Sequence, residues 1–186
     1  MHSAELKDLV REAYGLVASD GDAVARRLYR EEELMGVPRS ARELALGVGN
    51  HLRYTDIEPG EVILDLGCGA GIDTIMAARR AGPGGRVVAL DFLPEMLERT
   101  QQAAVAAGLQ NVDTLEGDME AIPLPADSID HIISNGVINL SPRKVRVLAE
   151  CARVLRPGGK FCVADLTIDE RELPTEVLTH PAAWAG

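Results

Sequence analysis

A chain of 186 residues has room for one α/β core and is short for two. With 19 Lys and Arg against 29 Asp and Glu, a formal charge of −10 and no basic run, nucleic acid is disfavoured as a partner and a small substrate is expected. No apolar stretch is long enough to span a bilayer, and the charged start MHSAELKDLVREAY lacks the apolar segment of a signal peptide, so a cytoplasmic protein without membrane contact is expected.

Residues 3 to 18 place Leu6, Leu9, Val10, Ala13 and Val17 at helical spacing, which predicts an amphipathic helix. A second helix is expected from Asp22, a candidate N-cap, through Val24, Leu28 and Met35, with its charged runs facing water. Tyr14 and Tyr29 fall on these helices, where packing against a core edge is the simpler reading. Gly36, Pro38, Gly47, Gly49 and Pro59 then break the chain, leaving room for one short helix from Pro38 to Leu46. A segment that precedes the core can fold over a ligand crevice, which makes Asn50, His51 and Tyr54 candidates for its wall; the plainer alternative for His51 is a surface loop histidine.

From residue 61 the chain alternates strand and helix, the pattern of a parallel, doubly wound sheet. Val62 to Leu66 is the first strand, and Asp65-Leu-Gly67-Cys68-Gly69-Ala-Gly71 follows as a tight turn into an Ala-rich helix. Glycines at alternate positions let backbone N–H groups approach a ligand that a Cβ would push away. A dinucleotide loop needs glycine where Ile72 stands, so a nicotinamide oxidoreductase is the weaker reading. The carboxylate of Asp65 suits a ligand carrying an ammonium or sulfonium.

The second strand, Arg86 to Asp91, ends in an acid about 20 residues past the loop, where a ribose-binding carboxylate sits in such sheets, and Phe92 follows it. Pro94 opens a helix on which Met96 either touches a bound adenine or fills the core. Asn111 to Leu115 is the third strand, and Gly117, Asp118 and Met119 at its carboxyl end are placed to meet a base. Ile129 to Ser134 is the fourth. If the order is 3-2-1-4-5, Ser134, Asn135 and Asn139 lie at the crevice between strands one and four. Ser141 is the expected cap of the next helix, Arg156-Pro157-Gly158-Gly159 its end, and Lys160 to Asp165 the fifth strand. Cys68, Cys151 and Cys162 lack metal-ligand spacing and read as buried thiols, so no metal site is expected.

The glycine loop from Asp65 to Gly71, Asp91, Gly117-Asp118-Met119, Ser134-Asn135 and Leu155-Arg-Pro-Gly-Gly159 together resemble the class I S-adenosylmethionine-dependent methyltransferases. The resemblance implies a Rossmann-like sheet, S-adenosylmethionine as cofactor and S-adenosylhomocysteine as product. The loop Gly67 to Gly71 would hold the methionine part, Asp91 the ribose, and Asp118 with Met119 the adenine. Within that family, Ala70-Gly-Ile-Asp73, Pro94-Glu-Met96, Ile133-Ser-Asn-Gly-Val-Ile-Asn-Leu-Ser-Pro142 and Tyr29-Arg-Glu-Glu-Glu-Leu34 with Gly47-Val-Gly-Asn50 look like arsenite methyltransferases, where Tyr14 matches a tyrosine near the donor. Those enzymes hold arsenic through cysteines at two positions occupied here by Val48 and Gly136.

The expectation is therefore methyl transfer to a small molecule other than arsenite, with His51 as the candidate base and Asn135 or Asn139 orienting the acceptor. The alternative is a degenerate methyltransferase that binds cofactor without turnover. Three stretches are expected: a helical cap over 1–60, the cofactor-binding core over 61–166 and a tail over 167–186. Strand five would stand at an edge, covered either by further strands of a longer protein or by a second copy in a homodimer.

Overall fold

The structure, a computed structural model, describes residues 21–167. Tyr14, the first predicted helix and the tail lie outside the described residues. Within them, a parallel sheet of five strands runs in the order β3-β2-β1-β4-β5. The strands are β1 (Val62–Leu66), β2 (Arg86–Asp91), β3 (Val112–Glu116), β4 (Ile129–Asn135) and β5 (Leu155–Ala164). This is the doubly wound order expected from the alternation of strand and helix.

Strand periodicity divides the core. Ile63, Val87, Ala89 and Ile133 point to the face covered by α4 (Ile72–Ala81) and α5 (Pro94–Ala106), where Ile75, Ala78 and Ala103 are sealed from water. Leu64, Leu66, Val88, Leu90 and Ile132 point to the other face, against Val147, Cys151 and Val154 of α6 (Lys144–Val154). With both faces covered, the central strands read as continuous apolar runs. Cys68 and Cys151 are buried and Cys162 is half-buried, each with a free thiol.

Ahead of the sheet, α1 (Gly21–Leu28), α2 (Glu31–Leu34) and α3 (Arg39–Arg42) form a cap, followed by a 3-10 turn, His51–Tyr54. The single helix expected from Asp22 to Met35 is thus two. The chain extends at Arg30, which holds φ −70° and ψ 154° while its backbone N–H donates to the Glu33 carboxylate at 2.7 Å. Asp22 lies inside the first turn of α1, where its carboxylate pairs with Arg26 at 2.8 Å and Arg42 at 3.3 Å.

The fifth strand departs from expectation as well. It begins at Leu155, paired to Ile129, and after a register shift resumes at Lys160 opposite His131. Arg156 to Gly159 fill the bulge between, with Gly158 at φ +82°, so the Pro-Gly-Gly stretch interrupts the strand rather than ending the helix. The N-cap of α6 is Arg143, two residues past the expected Ser141, whose hydroxyl accepts from the Arg143 N–H at 3.0 Å ahead of the first turn and donates to the Glu120 carboxylate at 2.7 Å.

Candidate cofactor cleft at the carboxyl edge of the sheet

The carboxyl ends of β1, β2, β3 and β4 open into a cleft enclosing about 1270 Å³, part of it open solvent, roofed by the cap residues around Leu44 to Gly47. This is the edge at which ligands bind in open parallel sheets. Asp65, Gly67, Cys68, Gly69, Asp91, Phe92, Met96, Gly117, Asp118, Met119 and Asn135 all line it.

The floor is the turn after β1. Gly67 sits at φ +78°, and a Cβ there would meet Val137 at 2.7 Å, whereas nothing stands within 4 Å of a Cβ position on Gly69, at φ +52°. The backbone at Gly69 therefore borders open space. Gly71 does not line the cleft; at φ +91° it opens α4, backed against Thr100.

Asp91 closes β2 and is buried. Its carboxylate accepts from the Gly69 N–H at 3.0 Å and the Leu93 N–H at 3.0 Å, which ties the glycine turn to the end of β2. Burial still pushes its pKa up, against the pull of these bonds. Asp118 accepts from the Glu120 N–H at 2.9 Å, in the turn after β3.

Asp65 is buried beneath the turn, its carboxylate accepting from the Thr74 hydroxyl. Desolvation pushes its pKa up to about 8, with the nearby charge of Asp73 adding to the rise. Asp73, also buried and lining the cleft, accepts from the Tyr29 hydroxyl at 2.7 Å and the Asn135 amide at 3.0 Å. The sequence offered one sign of this second acid: a carboxylate in the first turn of an otherwise Ala-rich, buried helix. The Cys68 thiol is buried, and its pKa is raised by desolvation first and then by Asp65 and Asp91, which favours the thiol over the thiolate.

Asn135 is in the cleft wall, but its carboxamide is committed inside the protein. The oxygen accepts from the N–H groups of Val48 (2.9 Å) and Gly49 (3.3 Å), and the nitrogen donates to Gly49 O (2.8 Å), Asp73 (3.0 Å) and Tyr29 (3.1 Å). It joins cap, helix and sheet.

Like Gly71, several other expected site residues do not reach the cleft. The Ser134 hydroxyl is fully buried and donates to Leu66 O at 3.1 Å within the sheet. Asn139 turns towards the end of β5: its backbone N–H donates to Asp165 at 3.0 Å and its side chain to the Leu166 carbonyl. His51 is neither a surface residue nor a wall of the site. It is 2% exposed under the cap against β4 and β5, and desolvation lowers its pKa. Asn50 bonds Glu33, and Tyr54 is exposed to water.

Ser141, read from the sequence only as a helix cap, also lines the cleft, as do Glu120 and the apolar wall of Leu44, Leu46, Val137 and Leu140, for which the sequence offered no site signal. Glu120 is buried and latches the turn after β3 to the turn after β4, accepting from Ser141 and, at 2.7 Å, from Arg143. Among the described residues no group of three His, Cys, Asp or Glu is placed to hold a metal ion, and no helix is long and apolar enough to cross a membrane.

A five-stranded parallel sheet with an acid-glycine turn, an acid ending β2 and a cleft at the switch point defines a nucleoside-binding Rossmann-like protein. Residues 57–185 match the family described as a methyltransferase domain. An arsenite methyltransferase of Halobacterium salinarum is 32% identical over 206 residues, an alignment covering 98% of this chain and 52% of that protein. A demethylmenaquinone methyltransferase of Listeria monocytogenes is 36% identical over 115 residues, 61% of this chain and 48% of its own. The crystal structure of an arsenic (III) S-adenosylmethionine methyltransferase from Chlamydomonas reinhardtii superposes with a TM-score of 0.73 at 37% identity, covering 82% of this chain and 53% of that one.

The chain belongs to the class I S-adenosylmethionine-dependent methyltransferases and resembles the arsenite methyltransferases among them. It spans about half the length of these relatives. The open space over Gly69 and the buried acids of the cleft fit a cationic nucleoside such as S-adenosylmethionine.

Proposed function

We propose that this chain binds S-adenosylmethionine and transfers its methyl group to a small molecule other than arsenite. The observation that carries the second half is the contact between two positions that hold cysteines in the arsenite methyltransferases the chain resembles. A Cβ on Gly136 would stand 3.4 Å from Val48 Cγ1. Thiols at 48 and 136 would thus neighbour one another, whereas Val and Gly present no soft ligand to a thiophilic ion. Cys68 lies in the loop floor, Cys151 inside α6, and Cys162 on β5 donates its thiol to His51 O at 3.2 Å.

In this reading residues 21–60 act as a cap over the core of 61–166. The glycine turn and Asp65 hold the methionine part of the cofactor, Asp91 the ribose, and Phe92, Met96, Gly117, Asp118 and Met119 surround the adenine. When bound, S-adenosylmethionine supplies an electrophilic methyl group. The protein aligns the acceptor and excludes water, and such alignment is worth on the order of 7 to 11 kcal/mol.

Incubation with arsenite, thiol reductant and S-adenosylmethionine, followed by chromatography for methylarsenicals, tests the acceptor assignment. No product above a protein-free blank is expected, while equilibrium dialysis shows the cofactor retained; robust methylarsenical formation overturns the reading.

A further inference from the structure

The lining of the cleft divides by chemistry. Asp65, Asp73, Asp91 and Asp118 gather around the glycine turn and the ends of β2 and β3, while the cap and the turn after β4 contribute Leu44, Leu46, Val137 and Leu140. Among the described residues, no Lys, Arg or His lines any part of it. The polar groups near the apolar part are already bonded: Asn135 to Val48, Gly49, Tyr29 and Asp73, Ser141 to Glu120, and Glu120 to Arg143.

These facts exclude acceptors one class at a time. The carboxylate of the cofactor is balanced by the cofactor's own ammonium, but an acceptor carboxylate or phosphate without a cation of its own would enter a field of acids with no Lys, Arg or His among the described lining residues to meet it. An amine would be held as an ammonium by the same acids, leaving no lone pair for attack. An alcohol needs a base at the moment of reaction, and every carboxylate in the described lining accepts hydrogen bonds inside the protein: Asp65 from Thr74, Asp73 from Tyr29 and Asn135, Asp91 from two backbone N–H groups, Asp118 from the Glu120 N–H, and Glu120 from Ser141 and Arg143. A neutral thiol has a nucleophilic lone pair, and its proton is acidic enough, at a pKa of about 8.5, to leave to water.

Resting on the methyl-transfer reading above, we propose that the acceptor is an uncharged, apolar thiol seated against Leu46 and Val137. Its sulfur lone pair forms the new bond to the methyl carbon as the carbon–sulfonium bond breaks. The electron pair of that bond stays on the leaving sulfur, now a neutral thioether, and the acceptor's proton passes to the solvent at the open mouth of the cleft, away from the methyl group. The products are a methyl thioether and S-adenosylhomocysteine.

The test uses the full chain, methyl-labelled S-adenosylmethionine and four acceptors of one skeleton: benzyl mercaptan, benzyl alcohol, benzylamine and phenylacetate. Labelled benzyl methyl sulfide is expected at roughly tenfold or more over the protein-free blank, about 1.4 kcal/mol of barrier at the least, and the other three acceptors should stay at blank. Turnover of the alcohol, amine or acid to match the thiol overturns the proposal. So does sulfide at the blank level when dialysis shows the cofactor bound. Loss of cofactor binding strikes the methyltransferase reading instead, so the two failures are separable. Leu46→Glu should raise KM for benzyl mercaptan roughly tenfold while the Kd for S-adenosylmethionine stays within about twofold, and Leu46→Met should restore the original KM. An unchanged KM in Leu46→Glu also overturns the proposal.

Discussion

Asp65 and Asp73 are both buried, and the side chains that bond them, Thr74, Tyr29 and Asn135, are all neutral. The groups facing Asp65 add no positive charge, since Asp73 and Asp91 raise its pKa and Thr74 alone among the side chains lowers it. With the folded pKa pushed up to about 8, the folded state holds this proton through a window in which the unfolded chain, near 4, has lost it. The folded state then binds more protons, so stability falls as pH rises from about 4 to about 8, and the full penalty stands above that. Urea unfolding at pH 5, 6.5 and 8 should show this decline, and Asp65→Asn should flatten most of it. A cationic cofactor reverses the sign for binding: it favours the charged carboxylate, so affinity should increase as pH rises towards 8. Asp91 offers a separate test. Its buried carboxylate, if it takes a ribose hydroxyl, contributes a charge-assisted bond of about 1.5 to 3 kcal/mol, so Asp91→Ala should weaken cofactor retention roughly 10- to 100-fold by dialysis.

The cap and the sheet meet through one carboxamide. Asn135 at the end of β4 holds the backbone of Val48 and Gly49, and through Tyr29 and Asp73 it reaches α4 and the segment after α1. Because Gly47 packs so closely that a Cβ there would lie 2.5 Å from Asn135 Nδ2, the contact has little slack. Asn135→Ala leaves the Val48 and Gly49 N–H groups and the Asp73 carboxylate short of partners, a cost of about 1 to 3 kcal/mol for a buried group so stranded. Hydrogen exchange should accelerate at Val48 and Gly49 while Leu64 in the central strand keeps its protection, which separates a local opening from global loss. An asparagine serving only to orient an acceptor would leave both exchange and urea stability unmoved. The sequence marked Asn135 by its place at the switch point but not by its bonds, because a strand position fixes where a side chain starts and not what it meets. Ser134, one residue earlier, shows the same limit: its hydroxyl spends itself on Leu66 O within the sheet.

At the scale of the molecule, the parallel order was legible because alternating apolar strands and helices admit few windings, and the acid-glycine turn marks the ligand edge. Less legible were features set by long-range packing. His51 looked like a loop residue and is buried, Arg156 to Gly159 looked like a helix stop and form a strand bulge, and the apolar wall of Leu46 and Val137 exists only once the cap lies over the cleft. Asp65, Asp73, Asp91 and Asp118 line one cleft, where low dielectric makes their charge felt once a bound cation pairs with it. A ligand that binds only the folded state at 100 times its Kd stabilises it by about 2.7 kcal/mol, which for a chain of this size raises Tm by about 5 to 10 °C. S-adenosylmethionine should give a shift in that range. S-adenosylhomocysteine keeps the ammonium but lacks the sulfonium charge, so at equal concentration its shift should be smaller if the buried acids read the charge at sulfur. Because the acids are buried, 0.5 M NaCl should narrow that difference little, as salt screens exposed pairs far more than buried ones. Equal shifts for the two ligands would mean that the acids read the ammonium alone, and a salt-sensitive difference would move the charge recognition out to the rim of the cleft.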